Sequence, residues 1–382
     1  MIKTLVALSG GVDSSVAALL LKRAGFEVEG VFMKFWTDPK TKMNQCCSLE
    51  SERRARQVAL KLGIPFHVFD FKKEFKKRVV DYFLEQTRLG LTPNPCVVCN
   101  EEIKFGLFLD KALKMGAGFV ATGHYVRLGR KIPISPPAPR LRRAGEIRNK
   151  SKILNSKFKT TRLFMATDKT KDQSYFLWRL NQKQLSRTLF PLGEYTKTEV
   201  RKIAQKVGLP TSQTKDSQNL CFLARGADNF LKTYLKNRPG KIIDSDGKII
   251  GKHYGLGFFT LGQRQGIGEF LFPKYQSQGP YYVLAKNNKK NQLVVTRNQK
   301  DLLSKNFVVT DLNWLLGKEP KFPFRAQVKV RSRQNSVSAV IRRGKKRGQV
   351  LVKFKRAQRS ITPGQSAVFY KGQELLGGGI IL

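Results

Sequence analysis

The stretch that most constrains this chain is its first loop, Ser9-Gly10-Gly11-Val12-Asp13-Ser14-Ser15. It follows an apolar run of strand length, Leu5-Val6-Ala7-Leu8, and precedes Val16-Ala17-Ala18-Leu19-Leu20-Leu21-Lys22, which carries a helical apolar stripe. A strand, a Gly/Ser turn and a helix in that order build an anion site. The two glycines let backbone N–H groups approach an oxyanion, and the helix N-terminus adds the positive end of its dipole. The loop lacks the Gly-Lys-Ser/Thr ending of a Walker loop, which argues against transfer of a γ-phosphoryl group to a hydroxyl.

Strand and helix patterns keep alternating downstream. Residues 27–33 read as a second strand whose end, Met33, falls near the first loop if the sheet is parallel. A helix from Ser51 to Leu62 stops at Gly63, a strand follows over Phe66 to Asp70, a helical stretch runs from Phe75 to Thr87, and Gly118 to Gly123 closes the series. The expected fold is therefore α/β, a doubly wound, mainly parallel sheet. Gly123-His124 is a second candidate for lining a nucleotide pocket. Residues from about 129 to 163 break the pattern with four prolines and a run of cations, and read as a basic insertion. Asp168 to Leu177 is polar and then helical in pattern. Short strands and turns from residue 225 suggest a small mixed domain, and alternating runs at 324–331, 350–354 and 366–370 suggest a C-terminal β-barrel. The expected boundaries are 1–224, 225–298 and 299–382.

The 382 residues, 41% of them hydrophobic, leave room for two or three cores. No apolar run reaches membrane-spanning length, and the N-terminus passes into the first loop without a signal-peptide pattern, so a cytoplasmic protein without a membrane partner is expected. Lys plus Arg is 72 against 27 Asp plus Glu, a net charge of +45 that favours a polyanionic partner, with nucleic acid first among them. The five cysteines have uneven spacing, which in a reducing compartment suits core, metal-ligand or catalytic roles better than a disulfide frame. Cys96 and Cys99 lie in Asn94-Pro95-Cys96-Val97-Val98-Cys99-Asn100, ahead of a helix expected to start at Glu101, where dipole and neighbouring Lys favour thiolate. A Cys-x-x-Cys also suits half a zinc site or a redox pair, but no second pair stands at zinc-finger spacing.

SGGVDSS resembles the pyrophosphate loop of the ATP pyrophosphatase superfamily, whose members split ATP into AMP and pyrophosphate to adenylate a carbonyl oxygen. Further matches are CCSLE at 46–50, NPCVVCN-EEIKF at 94–105, TGHY at 122–125, KDQSYFL at 171–177, DSQNLCF at 216–222, TLGQRQGIG at 260–268 and ITPGQSAVFYKGQELLGGGII at 361–381. Their order resembles the bacterial tRNA-specific 2-thiouridylase family over nearly the whole chain, the basic insertion being the main departure. The resemblance implies ATP bound at Ala7, Leu8, Ser9, Gly10, Gly11, Val12, Asp13 and Ser14, with Met33 and Gly123 at the adenosine and Mg2+ sharing the pyrophosphate charge. It implies catalytic roles for Asp13, Cys99 and Cys221. The O2 of a tRNA wobble uridine attacks the α-phosphate, and sulfur arrives as a Cys221 persulfide supplied by a cysteine desulfurase or a sulfur-relay protein. Cys99 acts as nucleophile or as resolving thiol, the latter leaving a Cys99–Cys221 disulfide. Asn94, Pro95 and Cys96 would line the target base, and Lys171, Asp172, Gln173, Arg331 and Ser332 would touch tRNA, although relatives can carry an aromatic residue at the Ser332 position. Cys96 stands where many relatives have Asp; one alternative is thiolation through a 4Fe-4S cluster held by Cys96, Cys99 and Cys221. Others are an amide-forming synthetase, which would not need the cysteines, and a non-catalytic basic RNA-binding protein.

Overall fold

Strand β1 (Lys3–Ala7) sends Leu5 and Ala7 into one apolar cluster and Val6 into another, so both faces of its sheet are covered. The computed structural model describes residues 1–40, 48–129, 160–215, 221–223, 226–273 and 279–382. Helix α1 (Val12–Arg23) returns the chain to β2 (Glu27–Lys34), and α2 (Leu49–Leu62) returns it to β3 (Phe66–Asp70). The side chain of Ser48 accepts from the Ser51 N–H and starts α2 two residues before the expected Ser51, while Gly63, at φ 56°, ends it.

Helix α3 (72–88) carries a π-helical stretch, Lys76–Val80. Helix α4 (95–114) begins at Pro95, not at Glu101, because proline at the first helical position loses no hydrogen bond. Cys96 and Cys99 therefore lie inside the helix, and Cys99 opens a π-helical stretch, Cys99–Leu107. Beyond α4 come β4 (Phe119–Ala121), the hairpin β5 (Val126–Leu128) and β6 (Leu163–Met165), α5 (Gln182–Ser186), β7 (Thr188–Leu189) and α6 (Lys197–Lys206). The first sheet has the order β3-β2-β1-β4-β7 with every pair parallel. Its strand order reverses direction between β1 and β4, and the C-terminal ends of those strands open the crevice where ligands bind in such sheets. This is the α/β architecture expected.

After α7 (Ala227–Tyr234) a second sheet forms from β8 (Gly240–Ile243), β9 (Ile249–His253), β10 (Glu269–Phe270), β11 (Tyr282–Asn287) and β12 (Gln292–Thr296), in the order β10-β9-β8-β12-β11. Ile242, Ile250 and Phe259 from this part of the chain join Phe75, Phe83 and Phe230 in one core cluster. Then β13 (Leu303–Trp314), β14 (Phe324–Lys329), β15 (Val337–Arg343), β16 (Val350–Arg359), β17 (Ser366–Lys371) and β18 (Glu374–Ile381) close into a six-stranded antiparallel barrel through the β13–β18 pairing. The barrel sheet continues into the first part of the chain, since β18 also pairs with β6 at Leu375↔Leu163. The basic insertion runs between β5 and β6, and its residues 130–159 lie outside the described residues. So do Cys46, Cys47 and residues 216–220.

The segment expected to be helical near Tyr175 keeps only one 3-10 turn, Ser174–Phe176. The Asp172 carboxylate accepts from the N–H groups of Ala166 and Ser174 at 3.1 and 3.3 Å, which competes with a helical ladder. Tyr175, Leu177 and Trp178 instead fill a cluster shared with Val368, Tyr370 and Leu375 of the barrel. Trp178 is fully buried, and truncating a buried Trp costs about 3–5 kcal/mol. Among the described residues no helix is long and apolar enough to cross a membrane.

Lys286 on β11 ties the second sheet to α3 by donating to the Gly90 carbonyl at 2.8 Å. Burial pushes its ammonium down to about 8 from 10.5. The unfolded chain therefore holds this proton more tightly, so the stability that Lys286 contributes is lowest below about pH 8 and rises from there towards pH 10.5. In urea titrations, the difference in unfolding free energy between wild type and Lys286→Met shifts in favour of wild type from about pH 8 to about pH 10; a gap independent of pH refutes this.

Candidate active site

The loop after β1 sits where the topology opens the sheet. Gly10 takes φ 74°, and Gly11 is the extended N-cap of α1. The turn is held from inside: Ser14 Oγ donates to the Gly11 carbonyl at 3.1 Å and accepts from the Ser9 N–H at 3.1 Å. Ser15 Oγ donates to the same carbonyl at 2.9 Å, and Thr211 Oγ1 donates to Ser15 Oγ at 3.0 Å. These hydroxyls stiffen the turn, and the start of α1 is left as a donor-rich pole suited to phosphate.

Two close backbone approaches frame that pole. A Cβ on Gly10 would collide with the Ser51 carbonyl at the start of α2, and one on Gly123, just beyond β4, would lie 2.7 Å from the Ser14 nitrogen. Arg54 Nε donates to the Gly10 carbonyl at 3.1 Å, fixing α2 to the loop. Met33 lies buried at the end of β2. Thus Gly10, Gly123 and Met33 come from the C-terminal ends of β1, β4 and β2, around one crevice.

Asp13 is engaged by residues from far along the chain. Lys197 Nζ lies 2.7 and 2.8 Å from its two carboxylate oxygens, and Tyr125 Oη donates to Oδ1 at 2.8 Å. Lys197 is the first residue of α6, where Thr196 and Glu199 form a capping box, and its backbone N–H donates to Asp168 at 3.0 Å. Burial raises the Asp168 carboxyl, but hydrogen bonds from Thr170 and the Lys197 backbone outweigh it and hold the group below its ordinary value. Lys197 escapes a sequence reading because 184 residues separate it from Asp13; Thr-x-x-Glu marks the helix start but not its target. His124 is placed between Phe105 and Phe190, with Nδ1 2.7 Å from Thr122 Oγ1. Desolvation, helped by Lys104, pushes it well below its ordinary value, so it is neutral at pH 7.

Cys99 is buried in the cluster that also contains Phe75, Phe83 and Phe222, and Cys221 packs against the same cluster. Phe222 makes edge contacts with Phe75, Phe83 and Phe230 at 6.0, 5.6 and 5.5 Å between ring centroids, which anchors the end of the Cys221 loop. Cys96, half-buried, lies on the first turn of α4 beyond Asn94 and Pro95. Among the described residues no three Cys, His, Asp or Glu side chains converge closely enough to hold a metal. Of the residues expected at tRNA, Gln173 Oε1 accepts from the Tyr125 N–H at 2.9 Å, and Asp172 lies 3.6 Å from Lys329. Arg331 Nη2 reaches the carbonyls of Leu261 and Ser360 at 3.3 Å and Thr362 Oγ1 at 3.2 Å. Ser332 and Lys171 are partly exposed beside them.

A parallel sheet with an anion loop at its switch point defines a nucleotide-binding α/β protein of the HUP class. Residues 2–225 match the family described as "tRNA methyl transferase HUP domain", residues 228–297 the "tRNA methyl transferase PRC-barrel domain" and residues 304–381 the "Aminomethyltransferase beta-barrel domain". Over 99% of its length the chain is 43% identical to tRNA-specific 2-thiouridylase MnmA of Methylobacillus flagellatus, covering 98% of that protein. It is 42% identical to MnmA 1 of Clostridium botulinum over 99% of both chains, and 41% identical to MnmA of Acinetobacter baylyi over 100% of this chain and 97% of that one. The chain belongs to the tRNA-specific 2-thiouridylase family.

Replacing Gly123 by Ala pushes a methyl group into the first turn of α1, and Lys197→Met removes the cation facing Asp13. Each change weakens ATP binding by about tenfold or more, equivalent to about 1.4 kcal/mol, in isothermal titration calorimetry; unchanged affinity in both refutes this account of the loop.

Proposed function

We propose that this protein catalyses ATP-dependent 2-thiolation of the wobble uridine of tRNA. The observation that carries the reading is the combination in one structure of an anion loop lacking the γ-phosphate lysine with two thiols, Cys99 and Cys221, on a common aromatic cluster. The net charge of +45 favours a polyanionic substrate and a steep salt dependence of its binding. With tRNA as substrate, the cytoplasm is the expected location.

ATP occupies residues 7–14, with Met33 and Gly123 against the adenosine. Backbone donors at the start of α1 hold the pyrophosphate, and Lys197 supplies counter-charge. Asp13, the one carboxylate of the loop, bonded here by Lys197 and Tyr125, would offer Mg2+ a ligand, and the ion would share the pyrophosphate charge. Asn94, Pro95 and Cys96 line the flipped uridine. Asp172 and Gln173, bonded internally, shape the loop that presents Lys171 to tRNA, while Arg331 braces the barrel beside Ser332.

The uridine O2 attacks the α-phosphorus, the bond to the bridging oxygen breaks, pyrophosphate departs, and N3 releases its proton. This gives a base whose C2 carries AMP as a good leaving group. The terminal sulfur of a Cys221 persulfide, loaded by a cysteine desulfurase or relay protein, attacks C2; the C2–O bond breaks and AMP leaves. Cys99 thiolate then attacks Cys221 Sγ. The S–S bond to the base breaks, its electron pair stays on the base sulfur, and N3 regains a proton. The products are 2-thiouridine and a Cys99–Cys221 disulfide, which a thiol reductant must open before the next turnover.

Incubation with ATP, Mg2+, tRNA and a persulfide donor, followed by nucleoside mass spectrometry, yields 2-thiouridine; its absence with both persulfide and sulfide sources refutes the reading. In the same assay Cys221→Ser forms no 2-thiouridine yet still releases pyrophosphate in a tRNA-dependent manner. Cys99→Ser accumulates a protein–tRNA adduct that dithiothreitol cleaves. Thiolation at the wild-type rate by either variant refutes this division of labour.

A further inference from the structure

The barrel segment 362–366, which leads into β17, is a rigid piece of backbone. The Gly364 N–H donates to the Ile381 carbonyl at 2.9 Å, the Ile381 N–H returns a bond to the Gln365 carbonyl at 2.9 Å, and the Gln365 N–H donates to the Thr362 carbonyl at 3.2 Å. Arg331 braces it by bonding Thr362 Oγ1 and the Ser360 carbonyl. From this base it grips the loop that leads to Asn94, Pro95 and Cys96. The Thr92 N–H donates to the Pro363 carbonyl at 3.0 Å, and Gln365 Nε2 donates to the Thr92 carbonyl at 2.9 Å. Both backbone groups of Thr92 are thereby answered by the barrel. Gly364, at φ 88°, passes so close that a Cβ there would sit 2.8 Å from the Thr92 nitrogen.

The far end of the segment grips the other loop. Fully buried Ser366 accepts Tyr175 Oη on its carbonyl at 2.9 Å and Trp178 Nε1 on its hydroxyl at 3.0 Å. Tyr370 Oη lies 3.1 Å from Ser174 Oγ. The two gripped loops are joined directly by Asn100, whose Nδ2 donates to the Phe176 carbonyl at 3.0 Å. Asn100 follows Cys99, is 3% exposed, and has a buried Oδ1 without a hydrogen-bond partner among the described residues.

We infer that segment 362–366 is a positioning clamp, which holds the start of α4 (Asn94–Cys99) and the Lys171–Phe176 loop in register so that the uridine meets both the nucleotide and the thiols. The inference rests on the thiolation reading above. Gly364 and the Gln365 side chain carry no charge and meet the backbone of Thr92, so the segment acts on turnover rather than on the grip on RNA. A shift of about 1 Å in a substrate-positioning loop is enough to cost about 100-fold in rate.

Full-length Gly364→Ala, Gln365→Glu and Gln365→Lys test the clamp. Gln365→Glu turns an acceptor towards the Thr92 carbonyl, whereas Gln365→Lys restores a donor. With ATP, Mg2+, tRNA and a persulfide donor, Gly364→Ala and Gln365→Glu lower kcat for 2-thiouridine formation by about tenfold or more. Their KM and filter-binding Kd for tRNA stay within about threefold of wild type, and Gln365→Lys returns kcat to within about threefold. The clamp is overturned by unchanged kcat in Gln365→Glu, by a loss of tRNA affinity equal to the loss of rate, or by a lowered melting temperature that Gln365→Lys does not rescue. Wild-type protein that forms no 2-thiouridine overturns the thiolation reading and the clamp together. Active wild type with insensitive variants overturns the clamp alone.

Discussion

The structure depends on keeping the first turn of α1 open on one side while packing backbone against it on the others. A helix N-terminus is useful to an anion only if its N–H groups are not spent on protein partners. Here the neighbours that crowd the turn are glycines and hydroxyls. Gly10 meets α2, Gly123 meets the Ser14 nitrogen, Ser9 bonds Ser14, and Ser14 and Ser15 both bond the Gly11 carbonyl. The crowding fixes the turn without covering its donor pole. The sheet topology then sets what can be arranged around that pole, because β1, β2 and β4 all end there.

The accessory sheets are bound to this first unit by two kinds of seam. The second sheet shares the apolar cluster that holds Phe222 and Phe230, with Lys286 and Asn288 bonding the carbonyls just beyond α3. The barrel is joined by buried hydrogen bonds from Tyr175 and Trp178 to Ser366, set among apolar side chains. Bonds of that kind specify one geometry, because an unmatched buried donor costs about 1–3 kcal/mol. The softer seam lies along the thiols, and the more exacting one lies along the loops that would face the base.

Much of this was legible in the sequence wherever a pattern is local. The strand–loop–helix at residues 3–23, the Gly63 stop and the alternating strands of the barrel all follow from periodicity and turn chemistry. What escaped is governed by partners far along the chain. The helical pattern within 168–177 yields to Asp172, which accepts from the N–H groups of Ala166 and Ser174, and to an apolar cluster of the barrel that takes Tyr175 and Trp178. The helix expected to start at Glu101 begins at Pro95 instead, so Cys99 sits within it. The pairing of Lys197 with Asp13 leaves no local trace, because charge complementarity across a fold has no period. The anion loop and the cysteines of the candidate site were visible; the lysine and tyrosine around Asp13 were not.

The pairing of β18 with β6 has a consequence for how the protein is made. The bond between Arg162 and Glu374 that flanks it spans 212 residues, so the edge of the first unit stays unpaired until β18 has been synthesised. Contacts of such sequence separation form late and slowly, since chain closure precedes any gain from pairing. On the ribosome the nucleotide loop can therefore fold long before the loops it serves are assembled. A truncated chain would hold the activating half of the site with an exposed strand edge, which is itself a template for aggregation. Synthesis of β18 thus acts as a checkpoint built into the topology, one that ties assembly of the site to arrival of the barrel.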